Sequence, residues 1–473
     1  MQEIAERASW TSRCAAALAI VASFWFVGHS LDASTTMRAE SAISAGRVEN
    51  HFAVQQRTTT TSSAVGYFLL GGLGVACWLG ASSNGVNWRH PLLLFCALYV
   101  GWCVFSLLWS LEPPQSVRKL AILMLMLAGA LGLAARYELE DMVSIAVLAL
   151  AALVGVGVLA ELAAGTFRPW RSDYRFAGTC HPNDQGLQCA LLALAAGFAD
   201  IQQRKRPWLR HAFVGLGVAG LALSKSRTTL AALVVALALA FVLRSRGMKR
   251  WMMLATCVSL VCLGGMALSF VSAAAIDQTA DVATMGRREN VSSLTGRLPL
   301  WHELWKAADD HLLIGQGFGG FWGSDNVMKY SKIFSWHVPH GHNAYLDMVL
   351  TIGFVGLALY LAWALATLLI AAVRHERSAR AAELFVVCFL AFSLVHGVTE
   401  SKLPSSGIAG FLLLVAMATI AVRAPQPLSV GAAGRASTEP RRRAGRFPAR
   451  RRRVAGAGFP LLNRLPDGRS LPP

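Results

Sequence analysis

Apolar residues in this chain gather into long unbroken runs separated by short polar stretches, rather than alternating or recurring on one face. The runs cover 14–28, 64–82, 91–110, 120–135, 143–163, 185–200, 211–223, 229–243, 251–272, 344–373, 384–398 and 407–422. A helix crosses the hydrocarbon core with roughly 20 apolar residues, and within lipid only a helix or a closed barrel satisfies its own backbone. The pattern therefore predicts an all-α polytopic membrane protein with about 12 transmembrane helices. Arg7 and Arg13 precede the first run as in a signal peptide, but no convincing small-x-small cleavage site follows, so it is expected to be a retained anchor.

Two polar stretches are long. The stretch 29–63, with Thr58-Thr59-Thr60-Thr61, is expected to be a surface loop. The stretch 273–343 is too long for a plain turn. It predicts a helix from Pro299 to Asp310 with Leu300, Leu304 and Trp305 on one face, hence a small extracytoplasmic helical cap. The expected organisation is an N-terminal part, 1–90, a membrane domain, 91–422, and a basic tail, 423–473.

Composition strengthens the membrane reading. Of 473 residues, 55% are hydrophobic and 15% charged, against about 25% charged in soluble domains, and mean hydropathy is +0.47. Soluble, disordered, collagenous and disulfide-scaffold classes are excluded. Most of the nine Cys, such as Cys96, Cys103, Cys257 and Cys262, lie in apolar runs, and Cys180 alone falls clearly in a polar loop. No pair has zinc-site spacing.

The net charge of +18 is uneven, because the tail holds 12 Arg against Glu439 and Asp467. With its Pro and Gly, that tail is expected to be disordered and to lie near anionic lipid heads; no nucleic-acid reader accompanies it. A cytoplasmic tail and an even span count put the N-terminus in the cytoplasm too. Arg204-Lys205-Arg206 and Arg244, Arg246, Lys249 and Arg250 then mark inside loops, as the positive-inside rule requires.

The rule gives no reason for cations outside. Arg118 and Lys119, Arg168, Arg171 and Arg175, Lys225 and Arg227, and Arg287, Arg288 and Arg297 all fall there. Guanidinium forks suit phosphate, so some of these cations are candidates for a phosphorylated ligand; solvated loop charge is the plain alternative. Arg175 leads into His181-Pro182-Asn183 at the start of a span, where Asn is expected to cap the helix and its N-terminus suits an anion. His337-Val-Pro-His340-Gly-His342-Asn343 stands directly before the span 344–373. A His at a water-filled mouth serves as a general base; metal binding by the three His, or a helix cap by His342 and Asn343, are the alternatives. Gly315-Gln-Gly-Phe-Gly-Gly320 lacks the βαβ context of a dinucleotide loop and reads as a turn or an anion nest. Glu400 is a weaker candidate, with pairing to Lys402 as its plain reading.

These residues resemble the O-antigen ligase and polymerase superfamily of bacterial inner-membrane glycan transferases. His342-Asn343, nine residues, then Gly353-Phe-Val-Gly356 match its His-Asn-x9-Gly-x-x-Gly signature. Leu294-Thr-Gly-Arg297, Leu300-Trp301 and Ile314-Gly-Gln-Gly-Phe318 look like the preceding segment of exopolysaccharide-polymerase members. Trp109-Ser110 with Pro113 and Ser116, Arg175 to Gly186, and Ser226-Arg227 also fit, over roughly 91–422.

The resemblance implies an undecaprenyl-pyrophosphate-linked glycan as donor and a sugar hydroxyl as acceptor at the periplasmic face. The acceptor belongs to a lipid-linked repeat unit in a polymerase or to lipid A core in a ligase. It implies His342 as base, with Arg175, Arg227 and Arg297 on the diphosphate and Lys225, His181, Asn183 and Asn343 as further substrate-binding positions. No cofactor and no metal is expected. The glycine pair Gly353/Gly356 is expected to permit close helix packing. A transporter or flippase is disfavoured, because ionisable residues gather at one face rather than at mid-span.

Overall fold

The computed structural model describes residues 8–29, 48–81, 86–199, 207–245, 248–250, 252–253, 297–334, 336–402 and 407–423. The predicted span 251–272, Arg287 and Arg288 and the tail beyond Arg423 lie outside the described residues, almost all of the first and all of the others. Among those described there is no β-strand, only an isolated bridge between Val86 and Arg423.

The helices are α1 (Trp10–Gly28), α2 (Val48–Leu79), α3 (Pro91–Phe105), α4 (Pro113–Arg136), α5 (Leu139–Ala163), α6 (Pro182–Phe198), α7 (Pro207–Ser224) and α8 (Arg227–Arg244). They continue with α9 (Arg297–Ala308), α10 (Ser324–Phe334), α11 (Ala344–Ser378), α12 (Ala381–Gly397) and α13 (Ile408–Val422). Among the described residues, seven candidate spans are long and apolar enough to cross a membrane: α1, Ser62–Leu79 of α2, α3 with the 3-10 turn that follows it, α4, α5, α8 and α11. Trp208–Ser224, α12 and α13 are apolar but shorter. Pro begins α3, α4 and α6, where its missing N–H costs nothing.

One expectation is corrected here. The helix α2 reaches back to Val48, so the Thr58–Thr61 run expected in a loop is helical. Extending a helix that is already nucleated adds one hydrogen bond per residue fixed, and polar Thr is no barrier to that.

Helix α1 packs on α2 and α5, α2 on α4, α6 on α5 and α7, α11 on α3 and α12, α12 on α8, and α13 on α4. The α2–α4 crossing is close because both faces are glycine: a Cβ at Gly132 would stand 1.9 Å from the Gly74 carbonyl oxygen. Polar contacts collect at the two ends of these helices. One set joins Arg423 to Glu138, Arg380 to Glu140, Arg250 to Glu376 and Arg13 to Asp141. These residues lie in or beside the loops expected inside. The other set joins the loops expected outside and holds the candidate site.

Helices α9 and α10 share a small apolar core with the start of α11. Leu300, Leu304 and Ala308 bury with Phe321, Tyr330 and Val338 against Leu346, Val349 and Leu350 of α11. The buried face runs at i, i+4 and i+8. Trp305, expected on that face, instead stays exposed with its ring 6.3 Å from Phe354, because a residue five positions after Leu300 has turned away from it.

Candidate active site

The site is built around a broken helix. Within α11, Gly353 has φ 69° and ψ −177°, a conformation open in practice to glycine alone. Its Cβ would stand 2.1 Å from the Leu313 carbonyl oxygen. The break frees backbone groups inside a candidate span, and four of them find partners. Phe354 and Val355 N–H donate to the Leu312 and Leu313 carbonyls at 2.8 and 3.2 Å. The Leu350 carbonyl accepts from Gln316 N–H at 3.0 Å, and the Ile352 carbonyl from Trp102 Nε1 at 2.9 Å. Gly353 is thus not the packing glycine expected of the motif: it ends one helix and starts another, and the segment 312–316 plugs the gap. The glycine run 315–320 continues from that plug. Gly315, Gly317 and Gly319 all have positive φ, and the N–H groups of Gly315, Gln316, Phe318 and Gly320 are spent on protein oxygens. It is a turn in which most N–H groups are already engaged.

The short first half of α11 carries the His-Asn motif. Asn343 caps it, its Oδ1 accepting from Tyr345 and Leu346 N–H at 3.0 and 3.1 Å. Immediately before it, His342 stands at φ 51°, which is uncommon for a residue with a side chain. Gly341 holds this turn from both sides. Its N–H donates to Asp347 Oδ1 at 2.9 Å, and its carbonyl accepts from Trp301 Nε1 of α9 at 2.7 Å. Trp322 Nε1 donates to the same Asp347 oxygen at 3.0 Å.

His342 faces Glu400. Its Nδ1 lies 3.6 Å from Glu400 Oε2, an ion-pair distance too long for a hydrogen bond. Both ring nitrogens of His342 are buried and have no hydrogen-bond partner among the described residues. The other carboxylate oxygen, Oε1, accepts from Arg297 at 2.9 Å and from Asn183 Nδ2 at 3.2 Å. Arg297 also donates to the Thr399 carbonyl. Burial alone would raise the Glu400 carboxyl, but His342, Arg297 and Lys402 around it outweigh that and hold it well below the usual carboxylate range. Glu400 is therefore a charged hub. Its plain reading is corrected: the Lys402 ammonium pairs with Asp184 at 2.5 Å, not with Glu400.

Asn183 links this hub to the next loop. Its Oδ1 accepts from Arg175 at 2.8 Å, and Arg175 Nε donates to the Ser224 carbonyl at 3.1 Å. The helix cap expected of Asn183 belongs to His181, whose Nδ1 accepts from Asn183 N–H at 3.2 Å, so the Asn side chain is free to face Glu400. The loop itself is pinned by buried Glu161, which accepts from Tyr174, Ala177 and Gly178. Lys225 Nζ donates to the Ser172 carbonyl at 2.5 Å. Arg227 opens α8, half-buried, on the same turn.

The structure thus brings Arg175, Asn183, Arg297 and His342 together through Glu400, places Lys225 and Arg227 on the adjoining turn, and uses Asn343 and His181 as caps. Of the three His in the motif, His340 stacks edge-on against His342 with ring centroids 4.3 Å apart. Burial holds His340 well below the usual imidazole range, and His337 below it. Among the described residues no group of three or more His, Cys, Asp or Glu gathers as a cation-binding set.

Behind His340 lies a cavity of about 440 Å³. Its apolar part includes Phe24, Leu123, Met126, Leu187 and Leu414, and its polar part His29, Lys119, Gln188, His340 and Lys402.

No curated protein matches the chain. Residues 212–361, from α7 through His342 and past the break at Gly353, match the family model described as O-Antigen ligase, and this match supports the O-antigen ligase superfamily for the chain.

Proposed function

We propose that this protein is a metal-independent glycan transferase that works at the periplasmic face of a bacterial inner membrane. The glycan leaves undecaprenyl pyrophosphate and joins a sugar hydroxyl of the acceptor. The single observation that carries this reading is His342: an imidazole whose two nitrogens are buried and unpartnered among the described residues, with a charged carboxylate 3.6 Å from Nδ1. A sugar hydroxyl is a weak nucleophile and needs a base, and Glu400 stabilises the imidazolium that forms. In the step, the acceptor oxygen bonds to the donor's anomeric carbon and its proton passes to His342. The carbon–oxygen bond to the diphosphate breaks, and the diphosphate leaves with the electron pair. The leaving group needs charge neutralisation more than a proton, and this is the role of Arg227 and Arg175, with Arg297 beside them. Both termini are cytoplasmic in this reading, as the Arg-rich inside loops require.

The acceptor of a polymerase is a second lipid-linked unit, and that of a ligase is lipid A core. The Leu294-Thr-Gly-Arg297 and Gly315-Gln-Gly-Phe318 segments favour the polymerase. The test is His342→Ala in purified protein, assayed for transfer and for donor binding. Transfer is expected to fall by about 10²–10⁴ while donor still binds, and wild-type activity is expected to survive a chelator. Wild-type turnover in His342→Ala, or chelator loss reversed by zinc, overturns the proposal.

A further inference from the structure

The transfer step uses one imidazole, and another lies buried at the end of α12. His396 is 3% exposed, with its ring stacked on Phe392 at a centroid distance of 5.6 Å. It joins two turns. Its Nε2 lies 3.2 Å from Thr229 Oγ1 in the first turn of α8, and its carbonyl accepts from Glu400 and Thr399 N–H at 3.0 and 3.2 Å.

These contacts close a ring of hydrogen bonds. From Glu400 the ring runs through Asn183 to Arg175, and from Arg175 to the Ser224 carbonyl. Ser226 N–H donates to Ser224 Oγ at 3.3 Å, and Ser226 Oγ lies 2.8 Å from Thr229 Oγ1. Thr229 leads back to His396 and so to Glu400. With His396 removed, the link that remains in this ring between Glu400 and the turn of Arg227 is the longer one, through Asn183 and Arg175.

Two features show a turn held from outside. Lys225 stands at φ 53° and His342 at φ 51°, two of the three non-glycine residues with positive φ among the described residues. Such conformations persist where the surroundings over-determine them. Ser226 sits at the N-cap of α8, where a Ser hydroxyl ordinarily accepts from a backbone N–H of the first turn. Here it makes no such bond and meets Thr229 instead. The hydroxyl is thus given to the contact with α12 rather than to its own helix.

We propose that His396 is a positioning residue for the transfer, a brace that sets the turn of Arg227 at a fixed distance from the Glu400–His342 pair. The proposal rests on the transfer reading above and deepens it. The anomeric carbon stands between the leaving diphosphate and the acceptor oxygen, so the cations on one side and the base on the other must keep register to serve one transition state. The Arg175–Ser224 bond keeps Arg175 with the Arg227 turn. Loss of the brace therefore shifts the two arginines together relative to the base, and is felt in the rate rather than in binding.

The test uses the full chain in detergent, with the lipid-linked glycan that accumulates in cells lacking this protein as substrate. His396→Leu keeps the bulk and removes both nitrogens. It is expected to lower kcat about 10²-fold, the loss that a misplacement of about 1 Å brings, with KM little changed. His396→Gln, whose amide restores a polar partner for Thr229, is expected to recover most of that rate. Thr229→Val is expected to match His396→Leu, and the double variant to be no slower than either single one, because all three remove the same contact. Unfolding midpoints are read on the same samples, and Thr229→Val carries the test should His396→Leu fold poorly. Wild-type kcat in a folded His396→Leu or Thr229→Val overturns the proposal. So do a His396→Gln protein as slow as His396→Leu, losses that add in the double variant, or a loss confined to KM. Failure of the transfer reading is separately visible, as full transfer by His342→Ala, and would leave His396 no base to position.

Discussion

The Phe354 amide donates a hydrogen bond to the Leu312 carbonyl at 2.8 Å, across the break that Gly353 makes in α11. This bond replaces one the helix forgoes, and it ties the plug after α9 to the longest helix described. The His342 turn and the plug are therefore one construction: α11 holds the imidazole at its N-terminus, and the plug fixes where that N-terminus lies.

The first prediction concerns this break. Gly353→Ala forces a Cβ into the Leu313 carbonyl at a φ of 69°. Such a conformation costs about 1–3 kcal/mol in backbone strain before the clash is counted. Gly356→Ala keeps a helical backbone and meets Ile352 side-chain atoms at 2.5 and 2.6 Å, a clash without the backbone strain. Thermal unfolding in detergent should therefore rank Gly353→Ala far below Gly356→Ala, and Gly155→Ala, whose Cβ meets nothing within 4 Å, near the wild type. Equal midpoints for the two motif variants would remove the break from the account.

Much of this was legible in the sequence, and for identifiable reasons. Hydropathy is a property of contiguous residues, so the apolar runs at 91–110, 120–135 and 344–373 fall on α3, α4 and α11. The outward Arg residues stood out because a topology rule gave them no purpose. Glu400 stood out only weakly, because its partners Asn183 and Arg297 are 217 and 103 residues away and local pattern carries no such information. Gly353 was visible but misread: a glycine inside an apolar run looks alike whether it admits a neighbouring helix or breaks its own. His181 took the cap expected of Asn183 because its ring nitrogen accepts the same N–H, an equivalence that residue preferences understate.

The second prediction concerns Glu400→Gln. The amide keeps the shape but loses the charge that balances Arg297 and faces His342. Transfer is expected to fall about 10²-fold or more, as for loss of general-base function. Donor binding is expected to hold or tighten, since Arg297 is released from its carboxylate. Parallel loss of donor affinity and rate would make Glu400 a structural strut instead.

The third prediction is a pH dependence of stability. His340 is held well below the ordinary imidazole range by burial, with His342 adding to the effect. Below about 6.5 an unfolded imidazole takes up a proton that the folded His340 refuses. Its contribution to stability is therefore complete above that value and is lost progressively as pH falls toward the folded value. Glu400 has the same sign at a lower window: its depressed value keeps its contribution whole until pH falls below about 4.3, where unfolded Glu protonates. Between pH 7 and 5, unfolding midpoints should decline in the wild type and decline less in His340→Gln. Identical slopes would show that His340 does not carry the effect.

The last prediction separates holding His342 from being His342. Gly341 has no side chain, and its place explains why: a Cβ there would stand 2.6 Å from Asp347 Oδ1 and 3.0 Å from Leu304 Cδ1. Gly341→Ala must therefore push Asp347 away from the Gly341 amide and loosen the turn that sets the imidazole opposite Glu400. No contact with Arg175 or Arg297 is touched, so donor affinity should stay within a few-fold of the wild type. Misplacement of a reacting group by about 1 Å costs on the order of 10² in rate, and the loss should appear in kcat rather than in KM. Because the unfolding midpoint is read on the same sample, a variant that simply unfolds is distinguished from one that is folded and slow. A folded Gly341→Ala protein with wild-type kcat would mean that the turn tolerates more freedom than the Asp347 and Trp301 clamp implies.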